Sequence, residues 1–313
     1  MSRTTDASAG DVLDPGIQGM LDRWTASGMG AVFAAETATQ ARERDTLSRD
    51  TICPPYLVPV ASIEDRELGG PGGRLPIRVI RPAESTTTAT IVYFHGGGWA
   101  VGNLDSHEGH ARRLARTADA VVVSVDYRLA PEHPYPAGLD DAVFAVEWVL
   151  DHPEQFGGSA DDVAVAGCSS GGNLATAAAW VLGEKGRMLV AQHLNYPVTD
   201  LRIFDPKLVG WYLGAGHDEL VGDPRVSPVT APSLARMPPA VIGVGTLDSL
   251  RGDNDAFVEA LRRDGVEVSY RVFPGLSHGF FGFGAFSEAS DSAAEELCRE
   301  TAKLLHGAAG SGE

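Results

Sequence analysis

Val163-Ala164-Val165-Ala166-Gly167-Cys168-Ser169-Ser170-Gly171-Gly172 sets a serine between glycines at the end of an apolar run. An apolar run, VAVAG (163–167), enters a Gly-x-Ser-x-Gly turn, and an alanine-rich helical stretch, GNLATAAAWVL (172–182), leaves it. At a strand-to-helix junction this pattern predicts a nucleophile elbow, a strained turn that lifts a serine hydroxyl above a sheet. The flanking glycines are needed because strand and helix approach closely there. Register selects Ser169. Ser170 would need glycine where Cys168 stands, and Cys168 would need glycines where Ala166 and Ser170 stand. A chance Gly-x-Ser-x-Gly in a loop is the bland alternative, and the strand before and helix after argue against it.

On either side of this segment, further β-branched runs read as strands at 75–80, 89–94, 120–125, 240–245 and 266–273. Helical stretches lie at 110–118, 138–150, 254–263 and 287–305. Strands alternating with helices predict an α/β chain with a mostly parallel sheet covered on both faces. Ligands then bind beyond the carboxyl ends of the strands. Two segments break the rhythm. Residues 1–50 hold helical stretches (17–24 and 31–45) but no strand, and residues 199–230 are rich in aromatics, Gly and Pro. Each reads either as ordinary surface structure or as a lid over a pocket. Residues 51–198 and 231–313 form the remaining α/β unit, and the polar tips 1–10 and 307–313 are expected to fray.

A serine alcohol needs a base, and the base a carboxylate to orient it. In a strand–elbow–helix fold the chain order is Ser, Asp or Glu, His. Asp248, Asp253 and Asp255 follow the strand AVIGVG (240–245). Asp248 lies nearest the strand end, whereas Asp253 and Asp255 suit the first turn of the next helix. Beyond Asp248 stand only His278 and His306. His306 ends the last helix as a solvated residue, so His278, in a loop leaving the strand 266–273, is the expected base. His95-Gly96-Gly97-Gly98-Trp99 follows the strand 89–94 and supplies unobstructed backbone N–H groups. An oxyanion hole built from the amides of Gly97, Gly98 and Ser170 is expected, with His95 and Gly96 shaping the loop. Each such donor is typically worth about 3 kcal/mol in the transition state.

The chain has 313 residues, with 43% hydrophobic and 21% charged, which excludes wholesale disorder. Its formal charge of −17 disfavours nucleic acid and anionic membranes as partners. Cys53, Cys168 and Cys298 form no paired framework, the N-terminus lacks an apolar signal core, and a soluble cytoplasmic protein is expected. His107-Glu108-Gly109-His110 lacks the HExxH zinc spacing and reads as a polar helix start, so no metal and no cofactor are expected.

Together these motifs resemble the bacterial hormone-sensitive-lipase-like carboxylesterases of the α/β-hydrolase fold. Asp126-Tyr127-Arg128-Leu129-Ala130-Pro131-Glu132-His133-Pro134-Tyr135-Pro136-Ala137 looks like that family's segment between oxyanion loop and elbow. Similarity runs from about residue 12, with Leu13-Asp14-Pro15, to 306. The segment 126–137 reads as structural, with Arg128 and Glu132 able to pair internally and its prolines fixing a loop beneath the site. Two departures stand out. Cys168 replaces the family's usual Asp and Ser170 its Ala, and Gly252 removes a carboxylate after Asp248. Cys168 reads as a small packed side chain in preference to a regulatory thiol.

The resemblance implies a carboxylesterase acting on short-chain, uncharged small-molecule esters through an acyl-enzyme. Ser169 would attack, His278 shuttle the proton and Asp248 hold the imidazolium. It also implies a lid built from the N-terminal helices and the 199–230 insertion, and it allows a homodimer through an edge strand and the last helix. Trp99, Trp211 and Tyr212 are candidates for substrate contact, although Trp211 and Tyr212 read equally as lid packing. A lactonase or deacetylase of a small metabolite would use the same machinery. A non-catalytic receptor is the alternative of a different class; plant gibberellin receptors resemble this family but lack the histidine that His278 provides here.

Overall fold

The computed structural model describes residues 12–83, 87–214 and 219–307. The polar tips, except Gly307, and residues 215–218 of the expected insertion lie outside them.

Eight strands form one sheet: β1 (Ser62–Gly70), β2 (Gly73–Arg81), β3 (Thr90–Phe94), β4 (Val121–Val125), β5 (Val163–Cys168), β6 (Ala191–Asn195), β7 (Ala240–Gly245) and β8 (Val268–Phe273). Their spatial order is β1-β2-β4-β3-β5-β6-β7-β8. The β1–β2 and β2–β4 pairs are antiparallel and the other five are parallel. The helices are α1 (Pro15–Ala26), α2 (Ala38–Thr51), α3 (Glu108–Thr117), α4 (Ala137–Asp151), α5 (Ser170–Glu184), α6 (Pro206–Leu213), α7 (Arg251–Arg263) and α8 (Glu288–His306).

Strand alternation divides the core into two layers. Val121, Val123 and Val125 of β4 point into one layer with Leu139 and Val146 of α4, Leu174 of α5 and Phe257 of α7. Val122 points into the other, with Ala111 and Leu114 of α3 and Leu297 of α8. Helix α3 is strongly polar overall, yet Ala111, Leu114, Ala115 and the adjoining Ala118 recur at helical spacing and bury one stripe. Both faces of the sheet are thus covered, as expected.

Six strands fall where the β-branched runs lie, and two are additional. Strand β1 pairs only with β2 at the sheet edge, so its sequence SIEDRELGG carries almost no apolar face. Strand β6 is central and fully buried, yet reads AQHLN. Its polar side chains find partners inside the fold: Gln192 Nε2 donates to the Pro238 carbonyl (3.0 Å), and His193 Nδ1 meets Thr301 Oγ1 (2.7 Å). Hydropathy alone hides such a strand.

The N-terminal segment lies against the body of the fold. Asp14 caps α1 by accepting from the amides of Gly16 and Ile17, and its own amide donates to Gly275 O (2.9 Å). The expected helix over 31–45 is instead a short 3-10 turn (Val32–Ala34) followed by α2. The proposed internal Arg128–Glu132 pair is also corrected. Arg128 grips the buried Asp141 of α4 with two bonds of 2.8 Å. Glu132 instead receives both ends of the Arg42 guanidinium from α2, at 2.8 and 2.6 Å. The loop carrying both residues spreads across two elements, so its charges pair outward.

Candidate active site

The elbow forms where β5 gives way to α5, with Ser169 between them at φ 53°, ψ −121°. A non-glycine residue held there stores about 1–3 kcal/mol of strain. Neighbouring backbone over-determines the turn: Ser169 N donates to Asn195 O (3.0 Å), and its carbonyl accepts from Asn173 N and Val198 N. The glycines are required by contact. A Cβ at Gly167 would lie 2.3 Å from the Gly171 carbonyl oxygen, and one at Gly171 would lie 2.1 Å from that of Phe94.

Asp248 follows β7 and His278 follows β8, so three strand ends converge on one point. His278 Nδ1 lies 3.0 and 3.1 Å from the two oxygens of Asp248, and Nε2 lies 3.0 Å from Ser169 Oγ. The Asp248 carboxylate accepts only, so Nδ1 carries the proton and Nε2 offers a lone pair to the serine hydroxyl. Asp248 is fixed by accepting from Leu250 N (2.8 Å) and is buried, while the His278 side chain is 41% exposed. A buried acid thus orients a solvent-accessible base. Tyr196, just past the end of β6, packs its ring against the imidazole at 4.6 Å. The other candidates lie elsewhere. Asp253 sits in the first turn of α7 and accepts from Thr199. Asp255 accepts from the Tyr270 hydroxyl, and the exposed His306 meets Ala118 O.

The glycine loop after β3 runs beside the serine. Gly97 and Gly98 adopt φ 124° and 58°, which favours glycine, and a Cβ at Gly97 would strike Val101 O at 2.2 Å. Among the described residues the amides of Gly97 and Gly98 donate to no protein acceptor. The Ser170 amide opens α5 and has no intrahelical partner. His95 is fully buried, with its ring stacked on Tyr127 at 4.3 Å and Nδ1 bonded to Gly96 O (2.8 Å). Burial pulls its pKa down to about 4, so it stays neutral. The Tyr127 hydroxyl donates to His95 O (2.8 Å), and Ala130 N donates to Trp99 O, so the 126–137 segment buttresses this loop from below.

A cavity of about 320 Å³ opens above Ser169 and His278. Its walls are mostly apolar and include Trp24, Phe33, Tyr56, Val101 and Phe281. The structure does not bring Trp99, Trp211 or Tyr212 to it. Trp99 and Tyr212 are buried and stacked on each other at 4.4 Å, and Trp211 packs beside Ala35, Ala41 and Val101 with Lys207 over its ring. The wall aromatics come instead from residues 24–56 and the loop after His278. They share no spacing along the chain, since Trp24 lies in α1, Phe33 and Phe281 in separate 3-10 turns and Tyr56 in a loop, so sequence pattern does not mark them. Tyr196 was missed with β6, the strand that positions it.

Comparison with known proteins agrees with this architecture. A family model described as alpha/beta hydrolase fold matches residues 91–282. The chain is 36% identical to the carboxylesterase NlhH of Mycobacterium tuberculosis over 94% of this chain and 97% of that protein. It is 32% identical to the carboxylic ester hydrolase LipN of the same organism, over 92% of this chain and 82% of the relative. A hyperthermophilic esterase from the archaeon Pyrobaculum calidifontis superposes with a TM-score of 0.82 at 30% identity, covering 94% of this chain and 98% of that one. The strand order, the elbow and these similarities lead to one assignment: the chain belongs to the α/β-hydrolase fold family.

Proposed function

We propose that the protein is a serine carboxylesterase of the hormone-sensitive-lipase-like kind, hydrolysing short-chain, uncharged carboxylic esters through an acyl-enzyme. The observation that carries this reading is the unbroken hydrogen-bond relay from Asp248 through His278 to Ser169 at the base of an apolar cavity. Ser169 attacks the ester carbonyl as His278 Nε2 takes its proton, and Asp248 stabilises the imidazolium. The amides of Gly97, Gly98 and Ser170 receive the developing oxyanion. His278 returns the proton to the leaving alcohol, then activates water to release the acid. The relatives named as carboxylesterases support ester as the substrate class.

Residues 12–50 serve as the lid: Trp24, Phe33 and Arg49 face the cavity, and Lys207 of α6 clamps the Phe33 and Ala35 carbonyls. The 199–230 insertion supports that lid from behind. None of the helices among the described residues is long and apolar enough to cross a membrane, and the three cysteines are unpaired; we place the protein in the cytoplasm. A homodimer through edge strand β8 and α8 completes the reading, and sedimentation at micromolar concentration tests it.

The experiment for the activity is hydrolysis of p-nitrophenyl esters from acetate to dodecanoate. A cavity of this size predicts a maximum at short acyl chains. A maximum at dodecanoate would refute the short-chain assignment, and no hydrolysis of any ester would refute the esterase.

A further inference from the structure

The cavity floor gathers three groups that ester hydrolysis leaves unused. Cys168, His107 and His110 each present one ligating atom, and these atoms lie within 4.8 Å of one another. All three residues line the same cavity as Ser169, so a small cation can reach them from solvent. We propose that they form a zinc site and that Zn²⁺ bound there inhibits ester hydrolysis.

The donor set selects the metal. Two imidazoles and a thiolate suit Zn²⁺, whereas Mg²⁺ and Ca²⁺ require oxygen ligands. Each imidazole is already oriented by a partner on one nitrogen: His110 Nδ1 meets the Tyr93 hydroxyl, and His107 Nδ1 meets Ser106 Oγ, both at 2.9 Å. Such contacts fix ring orientation in metal sites and leave each ring one further nitrogen. The Tyr93 hydroxyl also lies 3.4 Å from Cys168 Sγ, so one phenol organises two of the three ligands. On binding, the Cys168 thiol releases its proton to solvent, three protein–zinc bonds form, and water completes a tetrahedral shell. The His-x-x-His spacing differs from HExxH, and the third ligand comes from a strand end rather than the same helix. The expectation of no metal rested on spacing along the chain alone.

The inhibitory consequence rests on the esterase reading; the binding does not. Cys168 directly precedes Ser169, and its sulfur packs against Gly96 of the glycine loop, where a Cβ would lie 3.0 Å away. A cation held there shares the floor on which the ester carbonyl must settle, so it raises the apparent KM.

The test uses the full chain freed of metal with a chelator. Equilibrium dialysis against Zn²⁺ should give one ion per chain, in wild type and in Ser169→Ala alike. Co²⁺ in place of zinc should give the near-ultraviolet thiolate charge-transfer band, a readout on the unmodified protein. Cys168→Ala should abolish that band, and Cys168→Ala and His107→Gln should each weaken zinc binding at least about tenfold. Absence of the band, or undiminished affinity in Cys168→Ala, overturns the site. So does binding lost in His278→Ala but kept in Cys168→Ala. Stoichiometric binding with an unchanged KM for p-nitrophenyl butyrate overturns the inhibition alone. If no ester is hydrolysed, dialysis and the cobalt spectrum still decide the site.

Discussion

At the residue scale, Ser169 combines strain with exposure of its hydroxyl to a base. Replacing it with alanine removes the proposed nucleophile, and kcat for p-nitrophenyl butyrate is expected to fall by about 10⁴-fold or more. Asp248→Asn keeps the shape but reverses the hydrogen bond that sets the His278 tautomer, so a loss of about 10⁴-fold in kcat is expected with KM little changed. Gly171→Ala tests the elbow itself. Its methyl would meet the Phe94 and His95 carbonyl oxygens at 2.1 and 2.3 Å, both of them backbone. We expect destabilisation of at least about 1–3 kcal/mol in urea unfolding, with activity lost even where the chain still folds.

At the element scale, α1 docks through the buried Ile17 and Met20, whereas α2 buries only small side chains and is held by a cation. Arg42 of α2 donates to the Ala100 carbonyl (2.7 Å) beside the glycine loop, to the Ala130 carbonyl (2.9 Å), and to Glu132. That ion pair holds the Glu132 carboxyl down at about 2. Arg42→Met therefore frees α2 from both loops. A stability loss of about 1.5–3 kcal/mol is expected, mostly from the carbonyl contacts, because an exposed ion pair contributes little. Since α2 walls the cavity, KM should rise more than kcat falls; the opposite split would place Arg42 outside substrate binding. The same elements show what was legible in sequence. Ser169, Asp248 and His278 sit beside β-branched runs whose ends can be read directly, and the structure brings them within hydrogen-bond reach of one another. Arg42, Trp24 and Phe33 act across tens of residues from helices with no distinguishing pattern. His107, just before α3, and Cys168, at the end of β5, meet only in the folded chain, where both line the same cavity.

At the scale of the whole molecule, stability carries a buried acid. Asp253 joins α7 to the chain after β6 by accepting from Thr199 N (2.7 Å) and the Thr199 hydroxyl. Burial raises its carboxyl to about 6, against 3.8 when exposed. The native state holds this proton more tightly, so the stability linked to it is complete below pH 3.8 and is lost as pH rises through 6. The contribution is on the order of 3 kcal/mol. Urea unfolding at pH 4 and pH 7 should show that Asp253→Asn lacks this share of the wild-type difference; equal differences would contradict the assignment. Asp253 stands in the first turn of α7, five residues after the Asp248 that follows β7. Covalent capture shows whether the Ser169 hydroxyl is the proposed nucleophile. The protein is treated with diethyl p-nitrophenyl phosphate, digested and analysed by mass spectrometry. One diethylphosphoryl group per chain is expected on Ser169, absent from Ser169→Ala and slowed in Asp248→Asn; no label, or a label on Cys168 or Ser170, would overturn the assignment.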